Sequence, residues 1–245
     1  MRINKYLAKC NVGSRRKVEE FIVAGRVKVN DEVVQDLAYQ IDVQNDKVFF
    51  DDKPLNYNPD KIYIMLNKPK NYLVSSKDEF GRKTVFDLIP DFGAHMFAIG
   101  RLDYMSEGLL LLTSDGDFAN KIIHPRYKLA KVYKVKIKGI LPEEKLQRLR
   151  DGVMISRKIT QPALVKVKSK SADSSVLRIT IFEGRKRQIR YMIQKVNSEV
   201  LELKRLQIGD LTLDNLPVGM WRVLKPKEVL SLQMLSDKKG NKRNR

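Results

Sequence analysis

The stretch KVYKVKIKG, residues 131–139, alternates apolar and basic side chains, a period that only an extended strand with one buried face satisfies. Tyr133, Val135 and Ile137 fall on one face and Lys134, Lys136 and Lys138 on the other. IYIML (62–66), LLLL (109–112), ALVKVKS (163–169) and VLRITIF (176–182) are further apolar or alternating runs of strand length. Helical periods lie between some of them: DFANKII (117–123), PEEKLQRLR (142–150), and a segment with Ile189, Met192, Ile193 and Val196 at i, i+3, i+4 and i+7. Strands outnumber helices and do not alternate regularly with them. That predicts an α+β domain built on a mostly antiparallel mixed sheet rather than a doubly wound parallel one. A chain of 245 residues that is 42% hydrophobic can bury such a core and still carry a second, smaller unit.

The smaller unit is read at the start, over residues 1–53. Ile3–Lys9 is a helix candidate. Ser14 is placed to cap a second helix, whose Val18, Phe21 and Ile22 share one face before Gly25 stops it. RVKVNDEVV alternates around Asn30-Asp31 and predicts a tight hairpin. Residues 54–60 fall in a polar, two-proline stretch without period, DDKPLNYNPD, and read as a linker. The main domain is expected over 61–232. Residues 233–245 are expected to be a basic disordered tail, because nothing apolar follows Leu235.

Charge narrows the class of function. The chain has 48 Lys+Arg against 29 Asp+Glu, a formal charge of +19 and a pI near 9.9, so a polyanion is the expected partner and nucleic acid the commonest one. A membrane surface is the rival. No apolar run approaches the roughly 20 residues that span a bilayer, and MRINKYLAKC lacks the apolar segment of a signal peptide. No membrane association and a cytoplasmic location are therefore expected. Within the first unit, residues 1–30 hold eight Lys/Arg and two acids, whereas 31–53 hold two and seven. The segregation favours a basic face of Arg2, Lys5, Ser14, Arg15, Arg16, Lys17, Arg26 and Lys28 turned toward RNA, against the alternative of a merely solvated helix start. Cys10, alone of its type, excludes an internal disulfide and a thiolate metal cluster. His95 and His124 lie 29 residues apart and predict no metal site; His124 precedes Pro125, where it suits a helix end. GxxxxGK[ST] and GxGxxG are both absent, so nucleotide hydrolysis and dinucleotide binding lack their usual cradle.

Four stretches can carry chemistry. GRLDYMSEGLLLLTSDGD (100–117) sets Asp103 two residues after Arg101 and leads into a leucine run. Asp103 is either a turn residue before a buried strand or an acid acting on whatever the basic surface holds. Tyr133 points inward, as a core tyrosine does and as a ring that stacks on a nucleobase does. EGRKRQIR (183–190) ends a strand, turns at Gly184 and enters a helix with four basic residues. It reads as a surface turn or as phosphate contacts through Arg185, Lys186 and Arg187. LNKPKNYLVS (66–75), with Lys68, is a proline-punctuated loop between apolar strands.

Taken in order, these segments resemble the RsuA/RluB type of pseudouridine synthase over nearly the whole chain. Residues 1–48, with GSRRKVEEFIVAGRVKVND, resemble that family's αL (S-four-type) RNA-binding module. Asn67-Lys68-Pro69 resembles the first motif, GRLDYMSEGLLLLTSDG the second, KVYKV the tyrosine motif and EGRKRQIRYM the third, while RLQIGDLTL and LPVGMWRVL resemble the closing strands. Asn71 stands where glycine is usual, Ser106 where threonine is, and Arg187 where histidine or asparagine is common. The resemblance implies a pseudouridine synthase catalytic domain working without a cofactor. In it Asp103 is the catalytic acid, Arg190 pairs with Asp103 and keeps it charged, and Tyr133 stacks on the base. Arg101 helps hold a site opened by base flipping, and Lys68 belongs to the RNA-contacting set. The forms SRRK and DYxSEGLLLLT resemble members acting on the large subunit. The implied partner is therefore 23S ribosomal RNA or a large-subunit assembly intermediate, met by a monomer. A 16S enzyme and a non-catalytic assembly factor are the alternatives. An RNA nuclease would call for clustered carboxylates or a general-base histidine, and neither is apparent.

Overall fold

Ser14 begins the second helix as its sequence position dictates: its Oγ accepts a hydrogen bond from the Lys17 amide at 3.3 Å. The computed structural model describes residues 1–55, 57, 60–76 and 78–240. They form two units, one of residues 1–62 with 91–97 and 113–116, the other of 63–90, 98–112 and 117 onward.

The first unit opens with helices α1 (Ile3–Lys9) and α2 (Arg15–Val23). Helix α2 ends in a Schellman pair, in which Gly25 at φ 70 donates to the Ile22 carbonyl and Arg26 to that of Phe21. Strands β1 (Val27–Val29) and β2 (Glu32–Val33) make the hairpin, with Asn30 and Asp31 at φ 50 and 71 as a type I′ turn requires. Strands β3 (Val48–Phe50) and β4 (Lys53–Pro54) complete a sheet of order β2-β1-β3-β4 over a core containing Ile3, Leu7, Val18, Ile22 and Val27. The expected linker starts inside this unit. Pro54 belongs to β4, Leu55 donates to the Val48 carbonyl at 2.9 Å, and the Tyr57 ring stacks on Tyr6 at 5.0 Å. Two apolar residues in a polar stretch, Leu55 and Tyr57, dock on the adjacent core instead of spanning a gap. Residues 56, 58 and 59 of that expectation lie outside the described residues.

After β4 come the strands β5 (Tyr63–Lys68), β6 (Phe97–Ile99), β7 (Glu107–Thr113), β8 (Lys131–Lys138), β9 (Met154–Ile155), β10 (Lys158–Ile159), β11 (Leu164–Lys170), β12 (Ser174–Ile181), β13 (Val200–Ile208), β14 (Leu211–Thr212) and β15 (Trp221–Val223), all but β9 and β10 in the main sheet. Helices α3 (Gly116–Ile123), α4 (Glu143–Asp151), α5 (Gln188–Gln194) and α6 (Pro226–Gly240) intervene or follow. The strands run β11-β12-β8-β13-β7-β5-β15 across the sheet, with β14 on β13 and β6 on β7, while β9 and β10 form a separate hairpin. Strand β13 is antiparallel to β8 and parallel to β7; the remaining pairs whose register is known are antiparallel. The α+β, mostly antiparallel expectation therefore holds.

Strand β8 buries the face expected of it, with Tyr133 at 7% exposure and Val135 and Ile137 at 0%. The C-terminal expectation needs correcting. Residues 233–240 are helical, because α6 continues an apolar stripe in which Leu232 is fully buried and Leu235 approaches the backbone of Gly209. Composition missed this, since one stripe of spaced leucines is enough to dock a polar helix. Residues 241–245 lie outside the described residues. Among the described residues no helix is long and apolar enough to cross a membrane.

Candidate active site

Glycine sets the position of the loop that carries Asp103. Strand β7 meets β13 in parallel register, Glu107 opposite Lys204 and Gly108 opposite Arg205. A Cβ on Gly108, whose φ is 105, would lie 2.2 Å from the Arg205 carbonyl oxygen, so only glycine allows this approach. Residues 100–106 are thereby delivered to the edge of a cavity of about 260 Å³, whose lining includes Arg101, Asp103, Tyr133, Arg187, Gln188 and Arg205. That is slightly below the usual range for small-molecule sites and suits one flipped base rather than a duplex.

The loop is tied from behind by the first motif. Lys68 is fully buried, and its ammonium donates to the carbonyls of Pro69 at 2.8 Å and Ser106 at 2.9 Å, with longer contacts of 3.3 Å to those of Asp103 and Tyr104. Burial pushes Lys68 down to about 8, against the opposing pull of the Asp103 and Glu107 charges. Lys68 therefore cannot touch RNA, and the expectation that it would is overturned: its chain runs inward from a central strand. Asn71 donates its amide to the Tyr104 carbonyl at 2.9 Å from a left-handed conformation, φ 63. Asparagine tolerates that region better than other side chains, so it substitutes for the glycine usual there.

Asp103 is half-buried and faces Arg190 from α5, with Arg190 Nε 3.5 Å from its Oδ2. The same guanidinium lies 3.5 Å from Ser106 Oγ and 3.5 Å from the Val200 carbonyl. At these lengths the contact is an ion pair without an aligned hydrogen bond; Nε is buried and has no hydrogen-bond partner. Tyr133 stands directly across from Ile179 and Arg205, so its ring and the Arg205 side chain share one face of the sheet. The structure thus brings Asp103, Tyr133 and Arg190 to one site, with Arg101 exposed at its rim.

Arg205 escaped the sequence reading. It is 3% exposed, its Nε donates to the Leu109 carbonyl at 2.7 Å, and its Nη2 is buried without a protein acceptor. A charged donor left unsatisfied beside a cavity is costly and is the kind of group a ligand oxygen completes. The only sequence signal was an arginine at a register shared with buried Leu203 in VLELKRLQI.

Other expected contacts divide. Arg185 is engaged inside the protein: it donates to the carbonyls of Lys158 at 2.8 Å and Ile159 at 2.5 Å and pairs with Glu183 at 3.2 Å. It fastens the β9–β10 hairpin and is corrected to a structural residue. Lys186 and Arg187 are exposed. In the first unit Arg2, Lys5, Arg15, Arg16 and Lys17 are exposed, with Lys17 paired to Glu20 at 2.6 Å. Ser14 acts as the helix cap. Arg26 forks onto Asp51 at 2.8 and 2.5 Å between the rings of Phe21 and Phe50, and Lys28 pairs with Asp52 at 2.6 Å. The turn between β3 and β4 thus brings acids from the second half of the unit onto two of its cations, so the basic face is not wholly free. Among the described residues no group of three or more His, Cys, Asp and Glu is placed to hold a metal.

An ion-paired aspartate beside an inward tyrosine, on a mixed sheet preceded by a small helix-and-hairpin unit, defines a class. The chain belongs to the RNA pseudouridylate synthase family, whose model matches residues 62–195, and it carries an S4 domain over residues 1–48. It is 40% identical to "Ribosomal large subunit pseudouridine synthase B" of Bacillus subtilis over 96% of this chain and 97% of that one. It is 34% identical to "Ribosomal small subunit pseudouridine synthase A" of Yersinia pestis over 95% and 98%. A solved structure titled "Crystal structure of pseudouridylate synthase" superposes with a TM-score of 0.68 at 29% identity, covering 95% of this chain and 99% of that one.

Proposed function

We propose that this RNA pseudouridine synthase converts one uridine of 23S ribosomal RNA, and that Asp103 performs the chemistry. The reading rests above all on the Asp103 carboxylate, held by Arg190 at the edge of a cavity that Tyr133 lines. The large-subunit assignment is supported by the 40% identity to the Bacillus subtilis enzyme, against 34% to the small-subunit enzyme.

The reaction breaks the bond between the sugar C1′ and uracil N1, turns the base, and joins C1′ to C5. The proton lost from C5 is balanced by one gained at N1, so no redox partner or cofactor is required. An anionic carboxylate serves this as nucleophile or as base. Arg190 orients the Asp103 carboxylate, and Tyr133 stacks on the uracil. Arg205 Nη2 offers a donor to a uracil carbonyl, and Arg101 supports the RNA from which the base has left. The exposed Arg2, Lys5, Arg15, Arg16 and Lys17 of the S4 domain, with Lys186 and Arg187, hold phosphates.

Asp103→Asn is nearly isosteric and as good in a turn, so it is expected to bind RNA with unchanged affinity and to form no pseudouridine in single-turnover assays at saturating enzyme. A near wild-type rate would remove Asp103 from the chemistry. Pseudouridine mapping in cells lacking the protein should show one site missing from 23S RNA. A site missing from 16S RNA instead would overturn the large-subunit assignment, and an unchanged pattern in both would favour the assembly-factor alternative.

A further inference from the structure

The face of the main sheet opposite Tyr133 carries a row of cations that the catalytic site does not use. Alternation along β8 turns Lys134 away from the buried face. Across the neighbouring strands, Lys166 of β11 stands opposite Arg178 of β12, Arg178 opposite Lys134, and Lys134 opposite Lys204 of β13. Four basic residues are therefore in register across four adjacent strands. With roughly 4.8 Å between strands the row extends about 14 Å. Lys166, Arg178 and Lys134 are exposed, and Lys204 is half-buried. At the Lys204 end a hollow of about 230 Å³ is lined by Lys70, Lys134, Lys136, Lys204, Glu107 and Glu202. The two acids there already face lysines, Glu107 with Lys70 at 3.7 Å and Glu202 with Lys136 at 3.9 Å.

Like charges directly opposite one another weaken a sheet, and a row of four has no folding benefit. An anion lying along the row would relieve that repulsion. The occupant must be extended, must present negative charges at intervals of several ångströms, and must already be near this protein. The phosphate backbone of the RNA substrate meets all three conditions. We propose that the row Lys166, Arg178, Lys134 and Lys204 is a second RNA-binding surface, gripping backbone phosphates of the substrate RNA away from the flipped uridine. This rests on the RNA pseudouridine synthase reading and extends it from one nucleotide to the path of the flanking chain.

The test is the triple variant Lys134→Gln, Lys166→Gln, Arg178→Gln, titrated with poly(U) at a series of KCl concentrations. Poly(U) is chosen because phosphate binding does not depend on which uridine is modified, so the outcome is separate from the target assignment and from Asp103. Removing three single-strand phosphate partners should lower the slope of log K against log salt by about two and weaken binding roughly a hundredfold in 0.1 M salt. The melting temperature should hold or rise, because repulsion is relieved, and single-turnover conversion at saturating enzyme should be unchanged. A control of equal charge, Lys195→Gln, Lys225→Gln, Lys227→Gln, changes exposed lysines outside the row and should leave the slope almost unaltered. An unchanged slope in the first variant, or an equal decrease in both, would overturn the proposal. So would intact poly(U) binding accompanied by abolished binding to polyglutamate, which would assign the row to an acidic protein.

Discussion

Lys68 shows how far one side chain can act without touching substrate. Its ammonium is shared among the carbonyls of Pro69, Asp103, Tyr104 and Ser106, and burial pushes it down to about 8. Below pH 8 it is charged and has three N–H donors to share between Pro69 and the loop. Above pH 8 it becomes an amine with two donors, and the loop slackens. Because the folded form gives up its proton first, the unfolded chain binds one more proton between pH 8 and the ordinary 10.5. Folding stability should therefore rise across that window, by up to about 3 kcal/mol from this group, while catalysis declines. We expect the rate at saturating RNA to fall on the alkaline side with an apparent pKa near 8 while the melting temperature does not fall. A rate flat to pH 9.5, measured alongside thermal denaturation, would show that Lys68 does not govern the loop.

At the scale of elements, α6 carries the clearest energetic prediction. Leu232 is fully buried, and both it and Leu235 approach the position a Cβ on Gly209 would take, at 3.2 and 3.1 Å. Leu232→Ala should cost about 2–5 kcal/mol, the usual range for a buried leucine, and lower the urea midpoint accordingly. A decrease below about 1 kcal/mol would mean that α6 is not docked. Elements also explain the substitutions in the family motifs. Asn71 keeps the left-handed turn and its bond to Tyr104, while Ser106 keeps a hydroxyl within reach of Arg190.

Charge acts at the scale of the whole molecule. A formal +19 draws RNA from a distance, yet Asp103 and Arg190 are half-buried, where salt screens poorly. The efficiency kcat/KM should therefore fall steeply as KCl is raised, whereas kcat at saturating RNA should change little. Replacing Arg15, Arg16 and Lys17 with glutamine should flatten the kcat/KM dependence by about one unit of slope for each phosphate that is no longer neutralised. If kcat fell with salt as steeply as kcat/KM, the charge would be acting on the chemical step instead of on capture.

Features set by neighbours close in the chain were legible in the sequence, apart from the leucine stripe of α6. The strand period of KVYKVKIK, the Ser14 cap, the Gly25 stop and the Asn30-Asp31 turn each depend on neighbours within a few residues, and the structure carries all of them. The order of motifs likewise singled out Asp103, Tyr133 and Arg190, and the structure gathers them, with Asp103 paired to Arg190 and Tyr133 lining the same cavity as Asp103. Tertiary structure decided which charges remain free. Lys68, Arg185, Arg26 and Lys28 look alike in the sequence as basic residues near motifs. They become a buried strut, a hairpin clasp and two ion-paired cations only when distant segments fold against them. The cationic row and the orphaned Arg205 were illegible for the same reason: each exists through strand register, and register is set by pairings between residues far apart in the chain.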